Sequence, residues 1–249
     1  MKTDVKSHYE NHLSNYYSWI SGGFDPRAEE NQKFFEKHKI KPETSKVAID
    51  LGAGSGFQSI PLARSGFKVI AVDFSKKLLN ELKSKSKNLN VEILENDILN
   101  FNSYSNRNPE LIVCMGDTLT HLGTLKSVSD LIKNCYNELS ENGRLVLTFR
   151  DLTKELQGEE RFIPVRSEDD RIFICFLEYH IEYVKVFDIV YEKENRKWNQ
   201  KISSYEKIKI PQETIKQYIK EAGFDIGFFV VKNGLITLIA KKPAYEGEK

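Results

Sequence analysis

Three glycines and three carboxylates are the residues of this chain best placed to do chemistry together. Gly52, Gly54 and Gly56 lie in VAIDLGAGSGFQSIPLA, residues 47–63, where an apolar run of strand character meets an apolar pattern of helical period. Glycines at such a junction admit close approach of a ligand to the backbone and the unusual dihedrals of a sharp turn. Asp50 stands just before the turn. Asp73 closes the next apolar run, VIAVDF, and Asp97 follows a third, VEIL. An acid at the end of the second strand of such a unit can accept both hydroxyls of a ribose. One after the third strand can accept a hydrogen bond from an adenine amino group.

The details of the turn weaken a phosphate ligand. A dinucleotide-binding turn has the pattern G-x-G-x-x-G, whose third glycine lets helix and strand pack closely. Here that position is Phe57. A P-loop requires a lysine after the glycines, and the residues that follow are Phe57, Gln58 and Ser59. What remains is a ligand that needs backbone approach but carries no pyrophosphate. Ribose, adenine and a cationic amino-acid tail together describe S-adenosylmethionine.

The elements that must position these groups alternate along the chain. VAIDL reads as a strand, residues 57–64 as the start of a helix, VIAVDF as a strand and SKKLLNELKSKSK as a helix. VEIL and LIVCM are further strands, 126–139 a helix that ends before Asn142-Gly143, and RLVLTF a fifth strand. Strands that are apolar at nearly every position, separated by helices, predict a parallel sheet covered on both faces. From 161 to 210 the pattern changes to RFIPV, RIFICFLEYHIEYV, VFDIVYE and KISSYEKIKI, with no long helix between them. This predicts an antiparallel meander inserted into the α/β domain. Pro211 then opens a helix through Ala222, capped by Gly223, and GFFVV and LITLIA supply two last strands. The first forty residues read as helical and aromatic, broken at Gly22-Gly23 and closed by Pro42.

In this order the motifs resemble those of class I S-adenosylmethionine-dependent methyltransferases. VAIDLGAGSG is similar to the family's first motif, VIAVDFS to its second and NDIL to its third; LIVCMGDTLTHL and LSENGRLVLTF correspond to the segments around the fourth and fifth strands. The resemblance covers residues 47–149. It implies an α/β fold with a Rossmann-like seven-stranded mixed sheet, helices on both faces, a β-meander insertion and an N-terminal helical lid. The expected division is a lid over 1–42, a core over 43–150 and 211–242, and a substrate-binding insertion over 151–210. The resemblance also implies a cofactor set. Gly52, Ala53 and Gly54 would hold the methionine part of the cofactor, with Asp50 beside them. Asp73, followed by Phe74, would hold the ribose, and Asp97 with Ile98 the adenine. Met115 and Gly116 would line the site near the sulfonium.

Methyl transfer demands alignment and exclusion of water more than it demands a base, so catalytic groups are few. The loop GDTLTHL lacks an N-P-P-Y or D-P-P-Y sequence, which disfavours methylation of a nucleic-acid base or a protein glutamine. It is similar to the loop of glycine/sarcosine N-methyltransferase-like enzymes, which carry Asn where this chain has Asp117. Asp117 would suit an amine or a cation. His121 is the candidate general base, weighed against a packing role. Arg150, leaving the fifth strand, either grips a carboxylate or phosphate or pairs with Asp151 or Glu155. Tyr9, Tyr16 and Trp19 are candidates for a lid over cofactor and substrate, and Arg166, Arg171, Tyr179 and His180 for the pocket wall. His8 and His12, one helical turn apart, have no third ligand and are expected on a solvated face, so no metal is expected.

The whole chain bounds these readings. Its 249 residues carry 37 basic and 36 acidic side chains, a formal charge of +1, which gives no reason to expect nucleic acid or an anionic membrane as partner. No apolar run approaches the roughly 20 residues that span a bilayer, and the N-terminus MKTDVKSHYENH lacks the apolar stretch of a signal peptide. Three widely spaced cysteines, Cys114, Cys135 and Cys175, fit a reducing cytoplasm and disfavour an arsenic methyltransferase. The lysines of SKKLLNELKSKSK are expected to be a wet face behind Leu78, Leu79 and Leu82. The expected function is methyl transfer from S-adenosylmethionine to nitrogen or oxygen of a small molecule. A non-catalytic S-adenosylmethionine-binding protein and a nicotinamide-dependent oxidoreductase are the alternatives.

Overall fold

In the computed structural model, which describes residues 5–244, the aliphatic runs become strands and the amphipathic stretches between them helices. Three N-terminal helices, α1 (Val5–Asn11), α2 (Tyr17–Ile20) and α3 (Phe24–Lys37), precede an alternation of β1 (Val47–Leu51), α4 (Ser59–Arg64), β2 (Lys68–Asp73), α5 (Lys76–Lys85) and β3 (Val91–Glu95). The chain continues through β4 (Leu111–Cys114), α6 (Leu125–Glu138) and β5 (Arg144–Arg150). β1 to β5 run parallel. After a second sheet come α7 (Gln212–Glu221), β10 (Asp225–Lys232) and β11 (Leu235–Lys241). These last strands form a hairpin whose turn residues, Asn233 and Gly234, both have positive φ, as a two-residue hairpin turn requires. β11 pairs antiparallel with β5, giving the order β3-β2-β1-β4-β5-β11-β10.

Side-chain alternation sorts the core onto the two faces of this sheet. Ile49 and Leu51 of β1 pack with Leu131 and Ile132 of α6 and with Ile215 and Ile219 of α7. Ala48, on the other face, packs with Phe35 of α3, Ile60 of α4 and Leu82 of α5. On α5, Leu78, Leu79 and Leu82 are buried and its lysines exposed. The strand order reverses direction beside β1, between its neighbours β2 and β4. In an open α/β sheet that point leaves a crevice at the carboxyl ends of the strands.

The second sheet is the meander, β6 (Phe162–Ser167), β7 (Arg171–Tyr179), β8 (Tyr183–Glu194) and β9 (Lys197–Ile208), antiparallel in chain order. The run RIFICFLEYHIEYV is folded in two. The chain turns at residues 180–182, where the His180 amide donates to the Tyr183 carbonyl at 2.9 Å. That turn has no Gly, Pro or Asn to mark it, so the local sequence conceals it.

One expectation for the N-terminal segment is corrected by the packing. His8 and His12 do not lie on a solvated face: both are buried. His8 stacks on Tyr205 of β9 at 4.2 Å and bonds through Nε2 to Asp188 Oδ2 at 2.9 Å and through Nδ1 to Ser203 Oγ at 2.7 Å. Polar groups that β8 and β9 place on the inner face of the meander draw the histidine inward, because a buried carboxylate needs a donor. Among the described residues no helix is long and apolar enough to cross a membrane. Residues 1–4 of the expected lid lie outside the described residues.

Candidate active site

A cavity of about 870 Å³ opens at the carboxyl ends of β1 to β4 and runs to β9 and the N-terminal helices. Its floor is the glycine turn. Gly52 and Ala53 both donate their amides to the Val72 carbonyl, at 2.9 and 3.1 Å, which turns the chain back over β2. Gly52 has φ 77°, and a Cβ there would run into the Thr118 side chain. Only glycine allows both the dihedral and the contact. Phe57, at the position where a dinucleotide turn has its third glycine, is buried and stacks on Tyr17 at 5.6 Å.

Asp73 lines the cavity beside this turn. Its Oδ2 accepts the Gly54 amide at 2.9 Å and its Oδ1 the Ser75 amide at 2.7 Å, so the carboxylate is fixed in orientation. Burial raises its pKa to about 6 against the opposing pull of those two amides, and it is mainly ionised at neutral pH. Asp97 also lines the cavity; its Oδ1 accepts the Leu99 amide at 2.8 Å. Phe74 and Ile98 complete this end. Asp50 is placed differently. It points to the α4 side of the sheet and its Oδ2 accepts the Ser59 hydroxyl at 2.6 Å. Its Oδ1 is buried without a partner, and burial raises the carboxyl to about pH 7.

The wall that adjoins the glycine turn is the loop after β4. Met115 is buried. The Gly116 amide donates to Thr148 Oγ1 at 2.9 Å. Neither residue lines the cavity, but Thr118 and His121, one helical turn further on, do. His121 is held among Tyr9, at ring distance 5.6 Å, and Tyr205, at 5.4 Å. Burial, reinforced by the Lys207 ammonium, pushes its pKa down to about 3. The imidazole is therefore neutral across the physiological range and only weakly basic. Asp117 does not reach the cavity. Its carboxylate accepts the Arg150 amide at 2.6 Å and the Lys207 ammonium at 2.9 Å, with Arg150 Nε at 3.4 Å. Arg150 thus pairs with Asp117, and Glu155 pairs with Lys209.

The N-terminal aromatics divide between two tasks. Tyr9 and Tyr17 line the cavity, and Tyr9 stands edge-on to Phe74 at 5.6 Å. Tyr16 instead donates to Glu192 Oε2 of β8 at 2.9 Å. Trp19 lies between the guanidinium groups of Arg166 and Arg171, 5.6 and 5.1 Å from its ring, and Arg166 Nη1 donates to the Trp19 carbonyl at 2.8 Å. These arginines therefore fasten the helices to the meander. Tyr179 lies under Lys209, and His180 stacks on Tyr183. Of these last residues only Tyr183 lines the cavity, with Glu182, Glu206 and Ile208. Local spacing does not distinguish Tyr17 from Tyr16, or Glu206 from Lys207; the tertiary path of α2 and β9 does.

The residues present fit an adenosyl cofactor with an amino-acid tail. They offer a glycine turn with close backbone access, fixed carboxylates after β2 and β3, and beneath the turn a buried acid with one unpartnered oxygen. Comparison with known proteins agrees. A family model described as a methyltransferase domain matches residues 48–143. Glycine/sarcosine N-methyltransferase of Parasynechococcus marenigrum (strain WH8102) is 26% identical over 137 residues, 54% of this chain and 48% of that protein. The match thus spans about half that relative's length. The solved S-adenosylmethionine-dependent methyltransferase of Clostridium acetobutylicum ATCC 824 superposes with TM-score 0.75 at 18% identity, over 95% of this chain and 99% of that one. CalS10, an amino pentose methyltransferase of Micromonospora echinaspora solved with S-adenosylmethionine, gives TM-score 0.73 at 14% identity over 93% and 97%. Residues 48–143 are thus similar to a methyltransferase domain, and the chain has the fold of solved S-adenosylmethionine-dependent methyltransferases.

Proposed function

We propose that the protein transfers the methyl group of S-adenosylmethionine to a nitrogen or oxygen atom of a small molecule. The observation that carries this reading is that one cavity joins the glycine turn and Asp73 to the meander strand β9 and the tyrosines of α1 and α2. Its volume lies within the roughly 300–1,000 Å³ of small-molecule sites. Relatives of similar fold act, by their names, on glycine and sarcosine and on an amino pentose. In this reading the N-terminal helices form a lid, the meander holds the acceptor and the remaining sheet and helices form the core.

The cofactor supplies a methyl group on a sulfonium, already activated for displacement. The chain's own residues bind and orient. Gly52, Ala53 and Gly54 hold the amino-acid end through the backbone, with Asp50 beneath. Asp73 accepts the ribose hydroxyls, and Asp97 with Ile98 takes the adenine. Phe74 and Tyr9 keep water from the space between cofactor and acceptor, where transfer requires close alignment. His121, neutral and weakly basic, hydrogen-bonds the acceptor better than it deprotonates it. That favours an amine, which attacks as its neutral free base, over an alcohol, whose hydroxyl proton a base must take.

The test is thermal melting with S-adenosylmethionine, S-adenosylhomocysteine and NAD, on the wild type and Asp73→Ala. A ligand at a hundred times its dissociation constant adds about 2.7 kcal/mol, or roughly 5–10 °C at this chain length. Both adenosyl ligands should raise the midpoint, NAD should not, and Asp73→Ala should lose the response. Transfer of labelled methyl to a panel of matched amines and alcohols then identifies the acceptor. Binding without transfer to any member would favour the non-catalytic alternative.

A further inference from the structure

The sequence marks Asp117 as a candidate substrate contact and Arg150 as either an anion grip or a surface partner, yet the structure spends Asp117 on a buried partner that no motif singles out. Asp117 has φ 77° and follows Gly116 at φ 75°. Aspartate enters the left-handed region more readily than most residues, and here its amide and both carboxylate oxygens are tied down. The Asp117 amide donates to the Thr148 carbonyl at 3.3 Å, Oδ1 accepts the Arg150 amide at 2.6 Å, and Oδ2 accepts Lys207 Nζ at 2.9 Å. The Asp117 and Lys207 side chains are 14% and 11% exposed, whereas that of Arg150 is 62% exposed. Solvent screens the guanidinium leg, so Lys207 is the strong ionic one. The ammonium comes from β9, between Glu206 and Ile208 of the cavity wall. The turn it holds carries Thr118, which packs against Gly52, and His121.

We propose that Lys207 is a positioning residue: its ion pair with Asp117 fixes the Thr118–His121 turn against the glycine turn and so holds the acceptor wall in register with the cofactor end of the cavity. The link to methyl transfer rests on the function proposed above; the link to the turn does not. A buried ion pair is a poor source of net stability, since desolvation of two charges offsets their attraction. What such a pair does supply is one geometry. Its role is then to set the position of the turn, and it tightens the cofactor end indirectly through Thr118.

The experiment compares Lys207→Met, Lys207→Arg and the double variant Lys207→Met/Asp117→Asn with the wild type. The readouts are amide hydrogen exchange over residues 115–122, calorimetric S-adenosylhomocysteine binding and the melting temperature. In Lys207→Met, exchange in this segment should rise about tenfold while β1 and β2 stay protected. Affinity for S-adenosylhomocysteine should fall by about the same factor, an ordinary size for coupling between neighbouring sites. Lys207→Arg should stay within about threefold of the wild type, since it keeps the charge. The double variant, with no unpaired buried charge, should recover the melting temperature but not the protection or the affinity. Recovery of all three by the double variant would show a merely structural pair and overturn the proposal. So would unchanged exchange at 115–122 in Lys207→Met. Failure of the wild type to bind S-adenosylhomocysteine would sink the proposed function alone, and the exchange data would still decide the role of Lys207.

Discussion

Asp73 ends β2 and Asp50 is the penultimate residue of the neighbouring parallel β1, yet only Asp73 lines the cavity. Both carboxyls are raised by burial, to about 7 and about 6. An acid whose folded pKa lies above its unfolded value binds protons more readily when folded. Its favourable contribution is complete below about pH 4 and is lost as pH rises through 6 to 7. Asp50→Asn keeps an acceptor for Ser59 and removes the buried charge. Without ligand it should be more stable than the wild type at pH 8, by about 2–4 kcal/mol, and little different at pH 4. Urea unfolding at the two pH values checks this; parallel pH profiles for the two proteins would refute it. The cavity positions of Asp73, Asp97 and Gly52 were legible because each sits at a strand end, where type and spacing are local information. Lys207 was not legible. Nothing in KISSYEKIKI says which lysine turns inward until β9 has its neighbours.

At the scale of elements, the glycine turn and the turn after β4 are packed as a pair. Gly52→Ala forces both a strained φ and a collision with Thr118. The variant should lose about 1–3 kcal/mol. Thr118→Ala in the same chain should return the collision's share and leave that of the dihedral. Thermal melts of the two single variants and the double give the coupling, and strict additivity would mean that the turns do not touch. The strands β1 to β5 and the helices between them could be read because their apolar patterns are local and their caps conform to type: Thr124 Oγ1 accepts the Ser127 amide at 3.0 Å at the start of α6. The β7–β8 turn could not, since its residues carry no turn preference and only strand pairing imposes it. In the N-terminal helices the aromatic content was plain. Which rings face the cavity depends on how α2 leans on the meander.

At the scale of the molecule, α1 bridges the two sheets. His8 is wholly buried between Asp188 and Ser203 of the meander, while the adjacent Tyr9 faces the cavity. His8→Ala leaves Asp188 Oδ2 without its imidazole partner, while the Cys175 thiol still donates to Oδ1 at 3.2 Å. A loss of about 1–3 kcal/mol follows. Hydrogen exchange should rise most within Val5–Asn11, with the parallel strands unchanged. His12→Ala is the comparison: its ring bonds to the Asp188 backbone rather than to the carboxylate, and its Nε2 has no partner. Equal effects from the two variants would mean that the Asp188 carboxylate does not dock the helix.

The position of β11 has a consequence for how the chain is made. β5 lies inside the finished sheet, with β4 on one side and β11 on the other. Its central residues, 145–149, are all buried. On the ribosome, β1 to β5 emerge first and can assemble, but the strand that covers the far edge of β5 appears only after the meander and α7. Throughout synthesis of the meander and α7 the nascent protein therefore presents an apolar strand edge with unused amides and carbonyls, the kind of template on which foreign strands pair. The C-terminal hairpin is far from the cavity in sequence, yet it is the part that ends this exposure.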